Sequence, residues 1–180
     1  MTQKNLDKEL SDLLLKIKAA AIESKFTEVA TFKIKDAQVR IEWILLENPG
    51  IYLIEIKNSR GHTDFKEWFK EFEKLWTDKK YQGWYTPSIK KKRVIAHETV
   101  SEWIPIYIGK SKKISTRIKS HLNKKRIQKT FALKLLERTN LYQETFRLSK
   151  IDLSLINYDT IAPIYEIEKR NLINPIIGKQ

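Results

Sequence analysis

A glutamate set inside an apolar helical stripe is hard to explain by folding alone. Near the C-terminus Ile161, Ile164, Tyr165 and Leu172 recur at helical spacing, and Glu168 falls among them, whereas Glu166 lies on the wetter side. A lone buried carboxylate costs on the order of several kcal/mol, so Glu168 needs a metal ion, an arginine or a lysine beside it. An ion pair with Arg117 is the structural explanation, and a metal-ligating carboxylate is the functional one. The second chemical signal is the stretch from Tyr107 to Lys129, which holds nine Lys or Arg and no acid. Within it Arg117 and His121 stand four apart, on one face of a helix and at the border of the stripe Ile114, Ile118, Leu122. A guanidinium there can grip two phosphate oxygens, while Lys112, Lys113, Lys119, Lys124, Lys125 and Arg126 meet neighbouring phosphates. The plainer account is a solvated basic face. Gly109-Lys110-Ser111 imitates the end of a phosphate-binding P-loop, but the glycine required five positions earlier is Ile104, which argues against nucleotide hydrolysis.

Composition narrows the ligand. The 180 residues carry 35 Lys and Arg against 22 Asp and Glu, a formal charge of +13, on a chain whose 41% apolar content can build a core. Such a charge favours a polyanion, and nucleic acid fits better than an acidic membrane because no helix shows a one-sided Lys/Trp pattern. There are no cysteines, and His62, His97 and His121 are scattered, so any metal must be held by oxygen. The charged N-terminus and the absence of an uncharged run near the ~20 residues of a bilayer span make a cytoplasmic location the expectation.

The elements that must position these groups are legible as patterns. Leu6, Leu10, Leu13, Leu14, Ile17 and Ala21 predict a helix over 3–24, Thr27 to Lys35 alternates like a strand, and Asp36 can cap a helix running to Glu47. Gly50 to Lys57 reads as the first buried strand. Thr63 is expected to cap a helix whose stripe is Phe65, Trp68, Phe69, Phe72, Leu75 and Trp76, an aromatic face of the kind that builds a core. Ile89 to His97 reads as a basic strand and Trp103 to Gly109 as a short buried one. Lys112 to Asn123 and Thr130 to Arg138 are expected to be helices, Thr145 to Leu148 a third strand of the sheet, and the last helix to start near Pro163 and end at Asn174-Pro175. No repeat or linker interrupts the chain, so one α+β domain is the economical description.

Two tripeptides on short apolar strands now stand out: Gly50-Ile51-Tyr52 and Tyr107-Ile108-Gly109. With Lys110, Arg117 ten residues after Tyr107, His121 four further on and a late helical glutamate, they make the chain resemble the GIY-YIG nuclease superfamily, most closely its compact restriction endonucleases. The matched segments cover about a quarter of the chain. The resemblance implies a small, mainly antiparallel three-stranded sheet flanked by helices, and a single-metal phosphodiesterase site. Tyr52 and Tyr107 would orient or deprotonate the attacking water, Lys110 would lower a phenol pKa, and Arg117 would stabilise charge on the scissile phosphate. His121 would contact substrate or assist proton transfer, and Glu168 would bind Mg2+ or Mn2+; counting back from Pro175 would instead select Glu166.

The implied activity is a metal-dependent DNA endonuclease acting on double-stranded DNA, of restriction type, with a homodimer and a cognate methyltransferase as accompanying expectations. The two tyrosines are 55 positions apart, so Asn58 to Glu102 reads as an insertion into the family core. Its run Lys90-Lys91-Lys92-Arg93, with Trp84 and Tyr85 nearby, suits a DNA-contacting lobe or a solvated strand. The competing function is a nucleic-acid-binding protein that keeps the scaffold without cleaving.

Overall fold

A computed structural model describes residues 2–81 and 85–178; Trp84 lies outside them. Along the chain the elements are α1 (Gln3–Glu23), β1 (Thr27–Lys33), α2 (Ala37–Arg40), β2 (Gly50–Lys57), α3 (Phe65–Trp76), β3 (Ser88–Ile89), α4 (Lys91–Ile95), β4 (Trp103–Ser111), α5 (Ile114–Asn123), β5 (Thr145–Asp152), α6 (Tyr158–Ile173) and β6 (Ile177–Gly178). The fold is α+β. Its main sheet is antiparallel in the order β1-β5-β2-β4, and β3 pairs with β6 in a separate ribbon.

The sheet therefore has four strands where three were expected. The extra one is β1, whose alternation is visible in the sequence but whose partner is not: it runs beside β5 from Thr27↔Lys150 to Lys33↔Thr145. β2 lies in the middle, hydrogen-bonded to β5 and β4, and its two faces bury different sets. Tyr52, Ile54 and Ile56 join the larger core with Ile114, Ile118 and Leu122 of α5 and with Phe65, Trp68, Phe72 and Trp76 of α3. Ile51 and Leu53 join Ile108, Ile151, Tyr158 and Ala162 in a second cluster beneath α6. The aromatic stripe of α3, inside the segment expected to be an insertion, is thus part of the main core.

Several expected elements are replaced for identifiable reasons. The helix over 36–47 is broken into short turns around Ile41, whose backbone is extended; Val39, Ile41 and Trp43 are indifferent helix formers. Asp64, not Thr63, caps α3, accepting from the amides of Lys66 and Glu67. The basic strand over 89–97 is a two-residue strand followed by a helical turn rich in Lys and Arg, which are good helix formers. α6 starts at Tyr158, ahead of Pro163, because Tyr158 and Ala162 anchor it in the second cluster. The helix over 130–138 is absent except for one 3-10 turn, Leu135–Glu137, preceded by Lys134 in the left-handed region at φ 56°.

Candidate active site

Gly50 and Gly109 explain how the two tripeptides bring their tyrosines together. A Cβ on Gly50 would sit 2.1 Å from the Ile151 carbonyl of β5, so only glycine lets β2 and β5 approach there. Gly109 is the cross-strand partner of Tyr52. A Cβ on it would meet the Tyr52 hydroxyl at 2.4 Å, so the phenol lies across the bare glycine and reaches α5. Tyr107 is aimed by a β-bulge: Ile54 faces Tyr107 and Glu55 faces Pro105, leaving Ile106 as the extra residue. Ile106 and Tyr107 consequently both enter the α5-side core, while Ile108 enters the other. The Tyr52 and Tyr107 rings stack with centroids 6.1 Å apart.

α5 completes the cluster. His121 is fully buried, 4.7 Å from Tyr107 and 5.6 Å from Tyr52 between ring centroids, and its Nε2 lies 2.9 Å from the Tyr52 hydroxyl. One turn earlier Arg117 is half-buried and donates to the Phe131 carbonyl at 2.8 Å. Among the described residues it forms no ion pair, so the expected pairing of Arg117 with Glu168 is not made. Burial alone would lower the Arg117 pKa, but the phenols of Tyr52 and Tyr107 facing it outweigh that and hold it above its usual value. Burial also pushes the Tyr52 phenol well above 10, Tyr107 adding to the shift and Arg117 opposing it. His121 is pushed well below 6.5, first by burial and then by Arg117. At neutral pH the cluster therefore holds two neutral buried rings and one unneutralised guanidinium.

The segment expected to be a helix over 130–138 spends its backbone on these groups. The Phe131 carbonyl receives Arg117, the Leu133 amide donates to His121 Nδ1 at 3.1 Å, and the buried Lys134 ammonium donates to the carbonyls of Arg126 and Gln128. No side-chain pattern announces such main-chain contacts, which is why the sequence reading missed Leu133 and Lys134.

Lys110 belongs to the opposite side of β4. Its ammonium meets Glu166 of α6 at 2.9 Å, and the other Glu166 oxygen takes Arg170 at 2.6 Å, with Arg93 of α4 also facing this carboxylate. The inward stripe of α6 differs from the expected one. Tyr158, Ala162 and Lys169 are buried while Leu172 is 58% exposed, because Tyr158 and Ala162 pack into the second cluster and turn their face inward. Glu168 accordingly lies half-buried with no hydrogen bond or ion pair among the described residues, and Glu166 is the carboxylate that contacts a predicted site residue. Among the described residues no three His, Asp or Glu side chains gather as a ready metal cage.

Most of the predicted nucleic-acid contacts fall into two open grooves, with Lys112 and Lys113 outside both. Lys119, Lys124 and Lys125 line an open groove of about 490 Å³ together with Thr116, Ser120, Asn123 and Gln128. Lys119 also lies over the Trp43 ring and Lys125 pairs with Glu137, while Arg126 is exposed beside them. Lys112 and Lys113 pair with Asp159 and Glu47. Lys90, Lys91, Lys92 and Arg93 line a second groove with Ser88 and Ile89. No described helix is long and apolar enough to cross a membrane. Comparison with protein families, with characterised proteins and with solved structures returns no match for the chain.

Proposed function

We propose that the protein is a metal-dependent endonuclease that hydrolyses phosphodiester bonds of double-stranded DNA, of the sequence-specific restriction type. The observation that carries this reading is Arg117, a half-buried cation with no ion pair among the described residues, facing two phenols on the helix that also bears Lys119 and leads into Lys124 and Lys125. A guanidinium in that state favours an anion of phosphate shape. Water attacks the phosphorus in line, the bond to the leaving sugar oxygen breaks, and the negative charge that builds on the phosphoryl oxygens is opposed by Arg117. Tyr107, the less buried phenol, orients the water. Burial holds Tyr52 protonated against the pull of the guanidinium, so the proton of the attacking water passes to solvent and the leaving sugar oxygen takes one up from solvent.

Magnesium keeps several waters and is content with one or two carboxylates plus substrate oxygens. Glu166 fits that demand in exchange for its bonds to Lys110 and Arg170, and we assign it, in preference to Glu168, as the residue that would hold the ion. When bound, the ion would add positive charge next to the phosphate. β4 is a sheet edge, and Gly109 and Lys110 are consecutive on it, so one strand end presents the tyrosine face and the glutamate face to the same phosphodiester.

Purified protein and its Glu166→Ala variant are incubated with long unmethylated duplex DNA, with Mg2+ and with EDTA. Discrete fragments from the wild type with Mg2+ alone support the proposal. Duplex that is shifted but intact in every arm replaces it with the second reading, a binding protein, which the near-complete burial of Tyr52 and His121 favours.

A further inference from the structure

The two nitrogens of His121 are committed to different partners, and one of those partners has no freedom. The Leu133 N–H is a backbone donor that cannot accept, and it points at Nδ1 at 3.1 Å. Nδ1 must therefore carry the lone pair, and in the neutral ring the proton resides on Nε2. Nε2 in turn is 2.9 Å from the Tyr52 hydroxyl, so this contact runs from histidine to tyrosine. We infer that the main-chain amide of Leu133 fixes His121 as a hydrogen-bond donor to the Tyr52 oxygen, making the 124–134 loop a positioning element of the site and excluding His121 as acceptor of the Tyr52 proton.

The inference depends on the proposed function only for its catalytic consequence; the tautomer itself follows from the hydrogen bonds. With His121 donating to its oxygen, Tyr52 keeps its own proton for a partner other than His121, and burial outweighs Arg117 in holding that proton on the phenol. The ionisable groups around the imidazole are Tyr52 on β2, Tyr107 on β4 and Arg117 on its own helix; the loop contributes an uncharged amide. None of them offers an anion that would favour imidazolium. The loop is held in shape by Lys134, whose left-handed backbone and buried ammonium tie residues 126 and 128 to the position next to Leu133.

The direct test is nitrogen-15 spectroscopy of the histidine rings in the intact protein, with the His121 signals identified by their loss in His121→Gln. The expected result is a proton on Nε2 and a bare Nδ1 that persist from about pH 8 to about pH 5. A proton on Nδ1, or an ordinary titration of His121 in that window, overturns the inference. Cleavage gives an independent arm. Glutamine can place an amide N–H where Nε2–H was, while asparagine is too short, so His121→Gln should stay within about tenfold of wild type and His121→Asn fall by about 100-fold or more. Equal loss in both variants would show that the ring accepts a proton after all. A correct tautomer in a wild-type protein that cuts nothing would remove the nuclease reading and leave the positioning role intact.

Discussion

The two faces of β4 handle charge in opposite ways. On the α5 side Arg117 has no ion pair among the described residues and faces two buried phenols, and the nearby histidine is held neutral. On the α6 side Glu166 is saturated by Lys110 and Arg170 with Arg93 close behind. The contrast separates a face with a cation that lacks an anionic partner among the described residues from one whose acid is paired with cations. On the proposed function, a phosphodiester arriving at the strand end would satisfy the first and compete for the cations of the second, freeing the carboxylate for a divalent ion.

Removing the cation of the first face should have the largest effect. Arg117→Ala is expected to lower cleavage by about 100- to 1,000-fold with little change in folding, checked by initial rates and by thermal melting. On the second face Glu166→Gln should likewise abolish most Mg2+-dependent cleavage while Glu168→Gln leaves it near wild type; the reverse ranking would return the metal assignment to Glu168. Gly109→Ala is smaller in chemistry but damages geometry, since its methyl overlaps the Tyr52 hydroxyl. It should destabilise the protein by about 1–3 kcal/mol in denaturant unfolding and break the contact between Tyr52 and His121.

The pH dependence separates the faces further. Because His121 is held below its ordinary 6.5 in the folded state and is free to bind a proton when unfolded, its effect on stability is absent above that value. Stability should then fall as the pH drops below 6.5 toward the lowered folded pKa. His121→Gln should flatten that part of the curve in denaturant titrations at successive pH values. The smallest effect belongs to the exposed groove. Replacing Lys119, Lys124 and Lys125 together by alanine should reduce the slope of log affinity against log salt by about 0.9 for each lost phosphate contact, while leaving the metal requirement unchanged.

What the sequence conveyed was set by which interactions have side-chain signatures. The strands carrying Tyr52 and Tyr107, the helix bearing Arg117 and His121, and the aromatic stripe of α3 all follow from periodicity, and the structure has them. The inward face of α6 was not legible, because the choice between two candidate stripes is made by packing against the sheet. Tyr158 and Ala162 decide that by packing, so the inward side carries Glu166 in place of Glu168. Nor was the segment from Thr130 to Lys134, which reads as the start of a helix but whose Phe131 carbonyl and Leu133 amide bond Arg117 and His121 in place of a helical ladder. The pairing of β1 with β5 joins positions more than a hundred residues apart, and alternation alone cannot name such a partner.

The extra residue in β4 has one more consequence. An exposed edge strand is an invitation to pair with a strand of another molecule, and proteins discourage this with prolines, bulges and covering segments. β4 has all three at one end: Pro105, the unmatched Ile106, and the Ile176 amide bonded to the Pro105 carbonyl. Aggregation is thereby resisted where the edge would otherwise be most strand-like. The far end, from Gly109 to Ser111, keeps its outward backbone groups unclaimed by any described strand, so the guard against a foreign strand stops short of the second tripeptide's end.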